Sequence, residues 1–442
     1  MLSSQMFREQ SREIPIGGEC DVLVLGGGPS GVSASLAAAR SGAHTILLER
    51  YGFLGGMASA GMVGSLCGFF TSGTQKKPVV AGIAGELVKR LRTRGGVTKK
   101  RTTEYNSQLA HYRYNPEVLK YVADEMVVQA GVEVLFHTLV VDVIHQKGGY
   151  LSGVVAENKS GRFAFLGKMI VDATGDGDIA AKAGAPYEFG DGKNTAQSMT
   201  TMFRITHVDF DKAKRINHKM LQIKLQDARD KGLCLPRIHG AILSTVPFGM
   251  VSANITSIAG LSGIDARQLT QAELEGRRQV FEYLRFLREY QSGFENSELA
   301  AIATQVGVRE TRRILGQHIL DETEVINGKK SQYGIARGAW PVELHDPQTK
   351  QIRWELLITD DDYYEIPIGC LIPNGFSNLL VAGRCISTTH VAQASTRVIA
   401  QAVATGEAAG VIASQCVSSG RDPREIDASE TRAKLLANGA LL

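Results

Sequence analysis

The chain has 442 residues, a formal net charge of +4 and an ordinary globular composition. That length divides more naturally into two or more lobes than into one core. So small a charge argues against a nucleic-acid partner, and the short basic runs Lys76–Lys77 and Lys99–Lys100–Arg101 read as solvated loops.

Cys20, Cys67, Cys234, Cys370, Cys385 and Cys416 are scattered, with no C-x-x-C. This argues against a zinc ribbon, an iron–sulfur centre or a dithiol relay, so no metal is expected. Scattered cysteines suit a reducing compartment. The first twenty residues lack the apolar core of a signal peptide, and no apolar run reaches membrane-spanning length. A soluble cytoplasmic protein without membrane contact is expected.

Asp21 to Arg50 reads as strand, glycine turn, helix, strand. Val22–Leu25 has the length and β-branched content of a buried parallel strand. Gly26, Gly28 and Gly31 then give G-x-G-x-x-G, with Pro29 and Ser30 inside it. An Ala-rich helix runs from Ser33 to Arg40, Thr45–Leu48 is a second strand, and Glu49 follows 23 residues after Gly26. In this order the glycines serve the tight turn, the close approach of backbone to a pyrophosphate, and helix–strand packing. The helix N-terminus favours phosphate, and Glu49 is placed to accept from a ribose diol. The constellation predicts dinucleotide binding.

Gly55 and Gly56 offer a second close approach to a flat ligand or phosphate, or else a flexible loop. LLER followed by LGGMAS resembles the start of flavoproteins of the glutathione-reductase-like FAD superfamily. The resemblance implies that Glu49, Arg50, Gly55, Gly56 and Met57 contact FAD.

Gly82–Arg92 is expected to be an amphipathic helix. Lys99–Tyr114 interleaves aromatic and basic residues, facing either a substrate or a subunit contact. A helix is expected from Pro116 to about Ala130, with strands at Val132–Phe136 and Leu139–Ile144. The resemblance places Val140 against the adenine. Gly148–Gly149 is read as a hairpin turn flanked by strands Gly153–Glu157 and Arg162–Leu166.

KMIVDATGDGD (Lys168–Asp178) ends a buried strand at Ala173, Thr174 and Gly175, resembling the A-T-G return of these flavoproteins to FAD. D-A-T-G-D-G-D resembles a narrower group, the FAD-dependent oxidoreductase family. Asp172, Asp176 and Asp178 read as an acidic turn, with a metal site as a weak alternative.

From Tyr187 onward the pattern is mixed, without another strand–glycine–helix unit. Ser198–Ile205 reads as a strand. Thr270-Gln-Ala-Glu273 reads as a capping box ahead of an apolar face of Leu274, Val280, Phe281, Leu284 and Leu287. In VGVRETRR, which resembles the same family, a strand is expected to run into a turn or helix. Arg309 and Arg312 there are candidates to clamp an anion, or else lie on a solvated helix face.

LLVAGR (Leu379–Arg384) matches the superfamily's terminal FAD motif, a strand ending at Gly383. A small-residue helix is expected from Val391 to about Gln415, capped by Ser387, Thr388 or Thr389, with its start at the flavin ring. The resemblance implies that Gly383, Arg384 and Gln393 bind FAD.

The expected architecture is therefore an α/β Rossmann-like FAD-binding domain built from both chain ends (1–185 and 363–442), with an inserted mixed α+β substrate domain (186–362). With no second dinucleotide motif, the flavin exchanges electrons with a small-molecule substrate, oxygen or a docking carrier. The leading expectation is a dehydrogenase or oxidase that transfers hydride between flavin N5 and a small polar or anionic molecule. His390 is the candidate base, or else a packed histidine. His111, His239, His345 and Cys67 are weaker candidates. A fumarate-reductase-type C=C reductase and an electron-transfer subunit are the alternatives. Homo-oligomerisation is left open.

Overall fold

A computed structural model describes residue 6 and residues 9–103, 106–193, 195–213, 218–244, 249–349 and 351–442. Residues 104 and 105 of the aromatic-basic stretch lie outside the described residues.

Strand β1 (Ile16–Leu25) runs into helix α1 (Pro29–Arg40) and strand β2 (Thr45–Leu48). Val22 to Leu25 are completely buried, as expected of a strand covered on both faces. Gly26 turns the chain at φ +96°, and Pro29 occupies the first helical turn, where its missing N–H is harmless. Helix α2 (Ile83–Thr93) follows. Helix α3 (Pro116–Gln129) is capped by the Asn115 side chain, which accepts from Glu117 N. Strand β3 (Glu133–Leu135) precedes a meander of β4 (Leu139–His145), β5 (Leu151–Asn158) and β6 (Gly161–Asp172).

The main sheet has the order β3-β2-β1-β6-β5-β4. Its first four strands are parallel, and the meander is antiparallel. Strand β6 is continuous where two strands were expected. Lys168, in the middle of it, points outward to Asp21 at 2.7 Å and leaves the strand intact. The hairpin partners also differ. Gly148–Gly149 joins β4 to β5, while the turn at 159–160 joins β5 to β6.

The middle of the chain forms a separate sheet from β7 (Phe203–Thr206), β8 (Ala241–Ser244), β9 (Val251–Asn254), helix α4 (Ala266–Tyr290) and β10 (Glu298–Ile302). Its strand order is β8-β9-β7-β10. Phe203 and Ile205 pack with Val280, Tyr283 and Phe286 in a core of their own. Of the strand expected at Ser198–Ile205, only Phe203 onward is a strand. Helix α4 starts at Ala266, not behind Thr270. Asp265 accepts from Gln268 N at 2.8 Å, and Thr270 Oγ1 donates to Ala266 O inside the helix. Leu274 and Phe281, seven residues apart, are each 60% exposed and leave the expected stripe. The VGVRETRR segment is extended into the strand Arg312–Ile314, not helical.

Strand β11 (Leu379–Val381) returns to the main sheet, pairing parallel with the end of β6 at Leu379–Ile170. The expected single helix is two, α5 (His390–Thr396) and α6 (Ile399–Ser419), because Val398 is extended. Thr389 caps α5, accepting from Ala392 N. Helix α6 lies directly on α1. A Cβ on Gly406 would stand 2.1 Å from Ser30 O, and one on Gly410 would stand 2.2 Å from Ala34 O. The protein is thus an α/β fold whose Rossmann-like sheet is assembled from both chain ends, with antiparallel sheets inserted between them. Among the described residues, no helix is long and apolar enough to cross a membrane.

Candidate functional site

One cavity opens at the carboxyl ends of β1 and β2 and extends to the inserted sheet. Its first end is built by the glycine turn. A Cβ on Gly31 would stand 1.7 Å from Gly26 O, so glycine there lets α1 approach β1. A Cβ on Gly28 would meet only Gly56 Cα, at 3.9 Å, on the cavity wall. Helix α1 begins without a side-chain cap, which leaves its first N–H groups for an anion. The Gly55 loop is tied to this turn by Gly55 N donating to Gly27 O.

Glu49 lines the same end. Its carboxylate accepts from Gly27 N at 2.5 Å and Tyr51 N at 2.8 Å, and burial pushes its proton affinity up. A ribose diol would supply further donors to this desolvated carboxylate. Tyr51 and Arg50 both bond the Gln305 side chain, closing the wall toward the inserted lobe. FAD fits these residues: Glu49 would meet the ribose and the α1 N-terminus the pyrophosphate, with Gly28 and Gly56 leaving the channel open.

The acidic turn is committed to protein partners. Asp172 Oδ1 accepts from Thr174 N and Oγ1, and Oδ2 accepts from Ile179 N and Ala180 N. Asp176 pairs with Arg384 at 2.6 Å and accepts from Thr311 Oγ1. Asp178 pairs with Arg312 at 2.8 Å. These bonds tie the A-T-G turn to the terminal strand and to the inserted segment.

The far end is lined by Cys67, His111, Met202, Asn254, Arg309, Glu343 and Arg397. Arg309 donates to Ser198 O, and its own carbonyl accepts from Gln393 Nε2. Arg397 donates to Glu343 O at 2.9 Å. The Glu343 carboxylate binds His345 Nε2 at 3.0 Å and Trp340 Nε1 at 2.9 Å. Burial pushes Glu343 up, but His345, Arg397 and Trp340 outweigh it and bring the carboxyl down to about 2. Burial and the neighbouring Arg309 hold His345 neutral. Burial, with repulsion from Arg397 and Arg237, lowers the proton affinity of Arg309, and burial, with a smaller push from Arg384, lowers that of Arg397. Burial pushes the Cys67 thiol up, leaving it inert.

The sequence candidates divide by position. Gly26, Gly28, Pro29, Ser30, Glu49 and Arg50 line the cavity, as do Gly56, Met57, Val140, Ala173, Thr174, Gly175, Arg384 and Arg309. Gly31, Gly55, Gly383, Gln393, His390 and Arg312 stand behind the lining. Gly383 abuts the start of α1, where its Cβ would meet Ser30 Oγ at 2.6 Å. His390 Nδ1 sits 2.7 Å from the wholly buried Glu310, which also holds Arg313. The helix start at the cavity belongs to α6, through Arg397, Val398 and Ile399, and not to His390. Of the aromatic-basic stretch, Lys99 to Thr102 are exposed, while His111 lines the cavity and Tyr114 donates to Ala58 O.

Arg397 and Glu343 were missed. A signal for Arg397 was present, since Arg397 and Glu407 are the only charges between Val391 and Cys416. For Glu343 there was none, because its position depends on how the inserted strand Val342–His345 docks.

A glycine-turned parallel sheet with an acid after its second strand and an open phosphate channel defines a dinucleotide-binding α/β protein. The sequence model described as FAD dependent oxidoreductase matches residues 21–435, and the chain belongs to that family, whose cofactor is FAD. No curated protein sequence matches it. Three solved structures are similar in outline. A geranylgeranyl bacteriochlorophyll reductase-like protein from Thermoplasma acidophilum shares 15% identity at TM-score 0.48, covering 96% of this chain and 85% of that one. The p-nitrophenol 4-monooxygenase of Pseudomonas putida shares 11% at 0.49, covering 96% and 88%. A flavoprotein/dehydrogenase from Cytophaga hutchinsonii shares 14% at 0.47, covering 94% and 82%.

Proposed function

We propose that this FAD-dependent oxidoreductase transfers hydride between flavin N5 and a small polar or anionic organic molecule, as a dehydrogenase or oxidase. The observation that carries this reading is the single cavity. It joins the Gly28–Glu49 cradle to a polar end made by the inserted segment, so cofactor and substrate share one chamber. FAD, when bound, supplies the two-electron chemistry. Gly28, Glu49, Gly56 and Thr174 hold it, and residues 186–362 supply the lobe that excludes water from the substrate. Arg309 anchors the substrate. His390 is bound to Glu310 behind the lining, so a proton leaving the substrate passes to His111, the histidine that lines that end. Oxygen or a transiently docking carrier takes the electrons away.

A second reading rests on Arg309, whose lowered proton affinity suits a proton donor for reduction of an activated C=C bond. Anaerobic spectroscopy separates the two. Bleaching of the flavin band by an amine, alcohol or hydroxy acid establishes the dehydrogenase, and fast recolouring in air makes it an oxidase. Reoxidation of reduced flavin by an unsaturated acid, with no compound bleaching the oxidised form, replaces it with the reductase.

A further inference from the structure

The arginines at the inner half of the cavity and just behind its wall include two groups. Arg312, Arg313 and Arg384 each have a carboxylate partner, Asp178, Glu310 and Asp176, at 2.8, 2.7 and 2.6 Å. Arg309 and Arg397 have none among the described residues. Each bonds a backbone carbonyl, Ser198 O and Glu343 O. Both line the cavity, one from the inserted segment and one from the start of α6. Arg397 Nε is buried without a partner. Arg309 is held in place from behind, since Gln393 bonds its carbonyl and is itself held by Gln197 Nε2 at 2.8 Å.

Two half-buried guanidiniums with no carboxylate in direct contact favour an anion held by both. Glu343 is the one carboxylate acting on both, and its oxygens are engaged by His345 and Trp340. Arg309, Arg397 and an ionised Glu343 alone leave one positive charge, while Arg237 adds to the field at Arg309, and Glu310, which acts on Arg397, is itself held by Arg313. That remainder matches a monoanion, and the planar guanidinium fork matches a carboxylate.

We propose that Arg309 and Arg397 clamp the carboxylate of a small organic acid, which is the substrate's handle in this chamber. The proposal rests on the reading that the chamber holds FAD and substrate together, and names the substrate class within it. Atoms of the substrate beyond the carboxylate then reach toward the flavin, while Asn254 and Met202 on the inserted sheet bound the other side.

The test is a titration of the oxidised FAD-loaded protein, without turnover. Acetate, propionate, succinate and benzoate are added, with propionamide and inorganic phosphate as controls. Perturbation of the flavin band and the shift in melting temperature are recorded. At least one carboxylate is expected to bind saturably in the millimolar range or tighter, with propionamide silent and phosphate weaker. Arg309→Gln and Arg397→Gln are each expected to weaken binding by about 10- to 100-fold while FAD stays bound. Arg309→Lys, which keeps the charge and loses the fork, is expected to fall between and guards against a misfolded Gln variant. Absence of carboxylate binding to FAD-loaded protein, equal binding by phosphate, or unchanged affinity in both Gln variants overturns the clamp. Failure of the protein to bind FAD at all overturns instead the shared-chamber reading beneath it.

Discussion

At the scale of single residues, the glycine turn separates two requirements that the motif hides. Gly28 faces open channel, whereas Gly31 faces the Gly26 carbonyl at a distance no Cβ tolerates. Gly28→Val is therefore expected to fold with an unchanged melting temperature in the FAD-free state yet lose bound flavin. Gly31→Val is expected to lose soluble folded protein. The flavin-to-protein absorbance ratio and circular dichroism of the two variants decide it, and an equal loss of fold in both would show that the channel is not open. Glu49 was legible because strand, turn and acid keep fixed spacing in a local unit. Arg397 and His390 were not, because the sequence placed one helix where Val398 makes two. With a single helix, its start falls at His390. With two, it falls at Arg397, and the residue at the cavity changes with it.

At the scale of elements, local signals predicted strands and helices well, and long-range pairing corrected their ends. Asp265 and Thr270 both offer helix-capping chemistry, and in the fold Asp265 takes the cap while Thr270 turns its hydroxyl to Ala266 O inside the helix. Strand β6 reads as two, Arg162–Leu166 and a second ending at Ala173, because a sequence window cannot show that β1 pairs with it along its length. The end of β6 carries a prediction of its own. Asp172 is wholly buried and accepts four bonds, two from the following helix Asp178–Lys182 and two from Thr174. Asp172→Ala leaves the Ile179 and Ala180 N–H groups buried without acceptors. The expected loss of stability is about 3 kcal/mol, from the cost of two buried donors. Urea unfolding of the FAD-loaded variant measures it. A loss near zero would mean that the helix finds other acceptors and that Asp172 is no anchor of the A-T-G turn.

The whole molecule depends on its two ends meeting, and one buried acid lies at that junction. Helix α6 packs through Gly406 and Gly410 on α1, and between those glycines Glu407 reaches across to α2, accepting from Ile83 N at 3.0 Å. Its other oxygen has no partner, and the residue is 2% exposed. Burial raises its pKa from 4.5 to about 7, with Arg40 lowering and Glu86 raising it slightly. Between those two values the folded protein holds a proton that the unfolded chain has released. Stability from this group is therefore present at low pH and falls as pH rises from 4.5 through 7. The cost above pH 7 is on the order of 3 kcal/mol, at about 1.4 kcal/mol per pKa unit. Glu407→Gln keeps an oxygen for the Ile83 N–H and removes the ionisation. It is expected to match the wild type near pH 4.5 and to melt at a higher temperature at pH 8. Melting curves of both proteins across that range give the answer, and a pH-independent gap would place the effect in packing and not in the proton. If the gap opens with pH, Glu407 is a charge that the two-ended assembly tolerates at neutral pH only because the surrounding packing offsets it.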